Sequence, residues 1–272
     1  MNATDSFLRL PDTQSLPDLR RMPIRKVGIR DLRYPMQVVA ADGAAQPALA
    51  TLQMTVGLAH DVKGTHMSRF VEVLEAHRAP LDLAGFRALF DAMLARLGAT
   101  TGHLTMRFAY FVRKAAPVSG VESLLDYDVA WEASCDTPGD VRVAVEVTAP
   151  VTSLCPCSKR IADYGAHNQR SLIAIRAETA GTGLAIEELA RIAEDEASCE
   201  VWGLLKRPDE KWVTERAYDN PKFVEDLVRD IALRLSADPR VGAFRVASEN
   251  FESIHNHSAY AEIEGVGAGA RA

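Results

Sequence analysis

Twice along this chain, runs that alternate apolar with polar residues enclose segments whose apolar residues recur at helical spacing. That repeated order restricts the fold more than any other feature. In the first half, Leu49 to Leu58 and His103 to Val112 alternate as half-buried strands do, and between them Met67 to His77 and Leu83 to Leu97 carry helical spacing. A hairpin follows, because Thr137, Pro138, Gly139 and Asp140 supply turn chemistry between the strand-like runs Leu124 to Ala133 and Val141 to Thr148. In the second half, Ser171 to Glu178 is strand-like, Ile186 to Ala197 and Pro221 to Leu235 are helical, and Val241 to Glu249 and Ser258 to Ile263 are strands again. Pro221 suits a first helical turn, where its missing N–H costs nothing. The pattern predicts an α+β fold built from a duplicated unit, with a helix pair on one face of an antiparallel sheet. Without a short-period repeat, a solenoid is excluded.

The expected boundaries are a flexible arm at 1–23, a first unit at 24–136, a second unit at 137–264 carrying most candidate site residues, and a flexible tail at 265–272. With 47% hydrophobic and 25% charged residues in 272, the chain can bury a sizeable core. Its net charge of -6 argues against nucleic acid or an anionic membrane as a partner, so any phosphate recognition must be local. The first 23 residues lack the basic and apolar regions of a secretory signal, and no run of about 18 apolar residues follows, which predicts a cytoplasmic protein. There, Cys135, Cys155, Cys157 and Cys199 stay thiols, suited to metal binding or catalysis.

The densest cluster is Ser153-Leu154-Cys155-Pro156-Cys157-Ser158-Lys159. If the backbone is extended there, positions i and i+2 put both sulfurs on one face, one to ligate a metal and the other to meet a substrate. Two inert buried cysteines beside a proline would look the same. No second Cys pair follows at zinc-ribbon spacing. His167 lies twelve residues after Cys155 and offers an imidazole, and His255 and His257 form an HxH pair, as metal sites and proton relays both use. Carboxylates stand in the Lys206 to Lys211 and Asn220 to Asp226 segments, where a solvated charged loop and a capped helix N-terminus are the plainer readings. Arg170, Lys206 and Arg207 are candidates for a polyphosphate, and no P-loop pattern is present.

Five segments in order, Lys63 to Phe70, Ser153 to Lys159, Gly203 to Lys211, Asn220 to Asp226 and Glu252 to His257, together resemble type IB GTP cyclohydrolases, over roughly Pro23 to Ile263. The resemblance implies a tunnelling fold (T-fold) with two tandem antiparallel-sheet units per chain, assembled as a homotetramer with active sites at subunit interfaces. It implies a divalent metal, zinc or alternatively manganese or iron, held by Cys155, His167 and Glu210, a ligand set that suits borderline ions. Glu225 would grip the guanine edge, since a carboxylate accepts two parallel hydrogen bonds from its N–H and NH2 donors. Glu252, Arg170, Lys206 and Arg207 would complete the substrate site. The implied reaction is hydrolysis of GTP at guanine C8 with formate release, giving 7,8-dihydroneopterin triphosphate for tetrahydrofolate or modified-tRNA-base synthesis. His255, His257 and Cys157 would move protons or hydrogen-bond the ring. Lys63, His66 and Arg69 either line the pocket across an interface or shape a loop. Two rival readings are a tunnelling-fold nitrile reductase and a non-catalytic protein in which Cys155, Cys157, His167 and His255 close a structural zinc site.

Overall fold

The structure, a computed structural model, describes Gln14 and residues 16–179 and 183–270. One sheet runs through the molecule. Its long strands are β1 (Ile24–Val39), β2 (Ala45–Leu58), β3 (Gly102–Ala115), β4 (Glu122–Cys135), β5 (Val141–Leu154), β6 (Asn168–Thr179), β8 (Val241–Asn250) and β9 (Ala259–Val266). They pair antiparallel in the order β1-β2-β3-β4-β5-β6-β8-β9, and the two-residue β7 (Cys199–Glu200) pairs with β5. The helices are α1 (Ser68–Ala76), α2 (Leu83–Leu97), α3 (Pro156–Ile161), α4 (Ile186–Glu196), α5 (Arg207–Asp219) and α6 (Val224–Ala237). The predicted hairpin is β4 with β5, in register from Asp128↔Thr148 to Cys135↔Val141, and it joins the halves of the chain.

Alternation along the strands puts one face of the sheet against the helices. In β5, Val145, Val147, Ala149, Val151 and Ser153 are all buried, and the residues between them are half-exposed. In α2 the buried residues Phe86, Leu89, Phe90 and Met93 form the i, i+3, i+4, i+7 stripe. This helix is bounded as its sequence demands: Asp82 accepts a hydrogen bond from Gly85 N–H at 2.7 Å, and Gly98 ends it in the left-handed conformation at φ 62°. Trp131 is packed edge-on between Phe86 (5.6 Å between ring centroids) and Phe108 (5.4 Å).

Three elements depart from the sequence reading. β1 was not anticipated because it is an edge strand, largely exposed, whose pairing with β2 is interrupted by two irregularities; Asp31, at φ 57°, lies in the second. The 206–211 segment, read as a charged loop, opens α5. That helix buries only Asp209 and Ala217 and so lacks an apolar stripe to betray it. Pro221 precedes α6 instead of opening it. Helix α6 begins at Val224 after an extended Phe223, with Glu225 and Asp226 in its first turn, where carboxylates favour the helix dipole.

At the N-terminal end, residues 1–13 and 15 of the expected arm lie outside the described residues. Asp18 N–H donates to Asp61 O, Lys63 N–H to Leu16 O, and Gln14 Nε2 to Thr65 O, so this part of the chain lies against the β2–α1 loop. At the other end, Gly265 and Val266 extend β9, and the N–H groups of Gly267, Ala268 and Gly269 donate to Gly242, Ser236 and Val241 carbonyls.

Asp209 holds α5 in place. Its carboxylate accepts from the backbone N–H of Val118 (2.9 Å), Ser119 (2.8 Å) and Lys206 (2.8 Å) and from the Ser119 hydroxyl (2.6 Å), which ties the first turn of the helix to the β3–β4 turn. Burial alone would raise its pKa, but these four donors outweigh burial and hold it well below the usual 3.8. A carboxyl whose pKa is depressed in the fold stabilises above its unfolded value and loses that contribution as pH falls toward the folded one. Asp209→Ala should therefore lower the melting temperature at pH 7, on the order of 5 °C. In thermal denaturation across pH, the gap to the unaltered protein should narrow below pH 3.8. A gap that stays constant down to acid would refute this role.

Candidate active site

Cys155, Cys157 and His167 gather where β5 ends and β6 begins. Cys155 leaves β5 and caps α3 with extended backbone, Pro156 supplies the first helical position, and the Cys155 sulfur accepts from Ser158 N–H at 3.4 Å. Because α3 starts at Pro156, the extended geometry that would align the two sulfurs is absent. Cys155 is half-buried at the cap, and Cys157 is exposed on the helix. The loop from α3 to β6 closes on itself: Cys155 N–H donates to His167 O at 3.1 Å, and the Ser158 hydroxyl donates to Cys155 O and accepts from His167 N–H, each at 3.2 Å. Residues twelve apart in sequence thus become neighbours.

Glu252 completes this corner. Just past β8, it lies next to Phe251, whose N–H donates to Arg170 O, and its Oε2 is 3.8 Å from His167 Nδ1 with both side chains only 14% exposed. The other predicted residues lie on further elements. The linker between α5 and α6 is pinned to the end of β5, where Lys222 N–H donates to Leu154 O, and to the residue after α4, where Asn220 Nδ2 donates to Ala197 O. Glu225, exposed in the first turn of α6, follows three residues later. Lys159 reaches from α3 to the end of α5, donating to Tyr218 O with its ammonium 4.2 Å from the Tyr218 ring centroid. His255 and His257 stand on the exposed β8–β9 loop with their rings stacked 5.0 Å apart. Arg170 is an exposed residue of β6.

Glu210, Lys206 and Arg207 are exposed at the opposite end of α5. Eight residues separate Glu210 from Tyr218, about 12 Å of helix. Among the described residues, no three His, Cys, Asp or Glu side chains converge to hold a metal within one chain, so neither the Cys155, His167 and Glu210 set nor the closed set of Cys155, Cys157, His167 and His255 is assembled there. The donor chemistry at the corner nevertheless fits a borderline divalent ion, with thiol, imidazole and carboxylate on adjoining segments.

Beneath His167 runs a polar strip that the sequence reading left unassigned. Gln169 Oε1 is 3.0 Å from His167 Nδ1, Gln169 Nε2 donates to Ser153 Oγ at 3.2 Å, and Ser153 Oγ is 2.6 Å from Ser171 Oγ. The signal in the sequence is a period-2 one: Gln169 and Ser171 occupy helix-facing positions of β6 where apolar residues are the rule.

The match to known proteins runs through all of these segments. Residues 10–261 fit a family model described as type I GTP cyclohydrolase folE2. The GTP cyclohydrolase FolE2 1 of Dechloromonas aromatica is 59% identical, over 97% of this chain and 99% of that protein, and the FolE2 of Paraburkholderia xenovorans is 58% identical over 97% and 98%. In structure, a uricase from Bacillus fastidious superposes with a TM-score of 0.53 at 10% identity, over 89% of this chain and 93% of that one, as expected of an α+β tunnelling fold. Matched nearly end to end, with Cys155, His167, Glu210, Glu225 and the 252–257 segment all inside the matched span, the chain belongs to the type I GTP cyclohydrolase FolE2 family.

Proposed function

We propose that this chain is a GTP cyclohydrolase I of subtype IB, which opens the guanine ring of GTP at C8, releases formate and yields 7,8-dihydroneopterin triphosphate in the cytoplasm. The observation that carries this reading is the corner where Cys155 donates its backbone N–H to His167 O with the Glu252 carboxylate alongside, in a chain that matches the family over its length. Cys155, His167 and Glu210 would hold a divalent ion, zinc or alternatively manganese or iron, which supplies hydroxide near neutral pH when bound. Glu225, in the first turn of α6, accepts the N–H and NH2 donors of the guanine edge and fixes which carbon faces the corner. Glu252 orients substrate beside His167. Arg170, Lys206 and Arg207 balance the triphosphate charge. His255 and His257, on one exposed loop, donate and accept the protons that formate release and ribose rearrangement require, and the exposed Cys157 thiol hydrogen-bonds the ring or passes a proton.

Two features support a homotetramer with interfacial sites. Glu210 stands about 12 Å along α5 from the end that adjoins α3, so a second chain is the natural source of the third ligand. Around the corner, Ile161, Tyr164 and Ile254 are large apolar side chains left open to solvent in the single chain. The product serves tetrahydrofolate or modified-tRNA-base synthesis.

The test is formate release and pterin fluorescence from GTP, with protein stripped by a chelator and then given zinc or manganese. Restored turnover with an added ion supports the reading, and failure with every ion overturns it. Cys155→Ala should lose both bound metal and turnover; full metal content with full activity would sink the ligand assignment. For Glu225→Ala, steady-state kinetics should give a KM raised on the order of 100-fold with a smaller change in kcat. For His255→Ala the split reverses: kcat falls by roughly 100-fold or more while GTP binding, measured calorimetrically, is retained.

A further inference from the structure

We infer that Gln169 is a positioning residue that fixes the tautomer and orientation of His167, so that the imidazole keeps its Nε2 lone pair free for a metal ion. This rests on the reading of His167 as a metal ligand. Gln169 Oε1 is 3.0 Å from Nδ1, within hydrogen-bond range, whereas Glu252 Oε2 at 3.8 Å is too far to be its partner. The pair has two self-consistent states: Nδ1–H donating to the amide oxygen, or the amide NH2 donating to a bare Nδ1. Glu252 decides between them. A lone pair on Nδ1 would face the carboxylate charge, but an N–H there turns its positive end toward it. With Oε1 so engaged, Gln169 Nε2 donates to Ser153 Oγ, and the Ser153 hydroxyl is left to donate to Ser171 Oγ.

The chain has a rigid mounting. Gln169, Ser153 and Ser171 are 8%, 1% and 0% exposed, and strand pairing locks their positions: Ser153 lies opposite Gln169 between β5 and β6, and Ser171 opposite Asn250 between β6 and β8. A buried glutamine held at both ends of its amide cannot rotate without leaving a polar group unsatisfied, so its orientation passes to the imidazole. Residues that grip the far nitrogen of a ligating histidine in this way typically change metal affinity by about 10–100-fold when removed.

The experiment uses the full chain stripped of metal. Zinc affinity is measured by competition with a chromophoric chelator for the unaltered protein, Gln169→Leu, Gln169→Glu and His167→Ala, and the neutral tautomer of His167 is read by nitrogen-15 NMR without metal. We expect Gln169→Leu to bind zinc on the order of 10–100-fold more weakly. Gln169→Glu, which keeps an acceptor opposite Nδ1, should stay within about threefold of the unaltered protein. The spectrum should report the proton on Nδ1. Unchanged zinc affinity in folded Gln169→Leu, or a proton on Nε2 in the unaltered protein, overturns the inference. Should Gln169→Leu fail to fold, Gln169→Glu and the tautomer decide it. His167→Ala separates the two levels: if it keeps full zinc affinity, the ligand reading itself fails, whereas weak binding by His167→Ala with unchanged Gln169→Leu sinks only the positioning role.

Discussion

Cys155 and His167 are useful together only if twelve residues of chain fold back on themselves, and the antiparallel pairing of β5 with β6 makes them do so. The ladder runs without interruption from Ala144↔Glu178 to Leu154↔Asn168, and the Cys155 to His167 backbone bond extends it by one step. Loop-closure entropy is thereby met by strand pairing, not by a ligand. The consequences spread outward from that ladder. It sets where α3 can start, because Pro156 must follow the last extended residue, and it carries Arg170 to the position where Phe251 N–H binds its carbonyl and brings Glu252 to the corner. A one-residue slip in register would turn Gln169 and Ser171 to the open face of the sheet and undo the whole arrangement.

The same ladder explains why polar residues are tolerated in the core at this end of the sheet. Ser153, Gln169, Ser171, Ser248 and Asn250 are all buried, and each has a partner in the strip. Elsewhere these strands bury valine, isoleucine and alanine on the same face. A network of this kind adds little net stability, since its bonds replace bonds to water, but breaking one link costs about 1–3 kcal/mol because the abandoned group stays buried. Such a strip resists local rearrangement under the site, which an apolar core of interchangeable packings would not do as well.

How much of this could be read from the sequence follows from how local each determinant is. Helix α2 was legible to the residue, since the Phe86, Leu89, Phe90, Met93 stripe lies within it and its caps, Asp82 and Gly98, directly flank it. Edge strand β1 was not, because its first half is largely exposed and two irregularities there break the alternation that Leu32 to Val38 keep. Helix α5 was missed because a single buried carboxylate, bound to a turn about ninety residues earlier, replaces the apolar stripe that periodicity detects. The site divides the same way. Cys155, His167 and Glu252 carried legible chemistry, but their proximity depends on β5–β6 and β6–β8 register, which no local pattern encodes. Gln169 carried only the period-2 signal of a polar residue at a helix-facing position, because its role exists only once His167 lies above it and Ser153 opposite it.

Glu210 then raises a question of geometry. A rigid helix anchored at its first turn by Asp209 to the β3–β4 turn, and at its last by Lys159 of α3 and by Asn220, which donates to Ala197 O after α4, cannot bend to bring its two ends together. Glu210 follows directly after the first anchor, so its carboxylate is committed to the far end of α5 whatever ligand arrives. If it serves the same ion as Cys155 and His167, as proposed, the helix must present it to a neighbouring copy and receive that copy's equivalent in return. A helix with a polar exposed face and a firm hold on its own subunit is suited to that exchange. On this view the anchoring of Asp209 is as much a condition of activity as the ligands themselves.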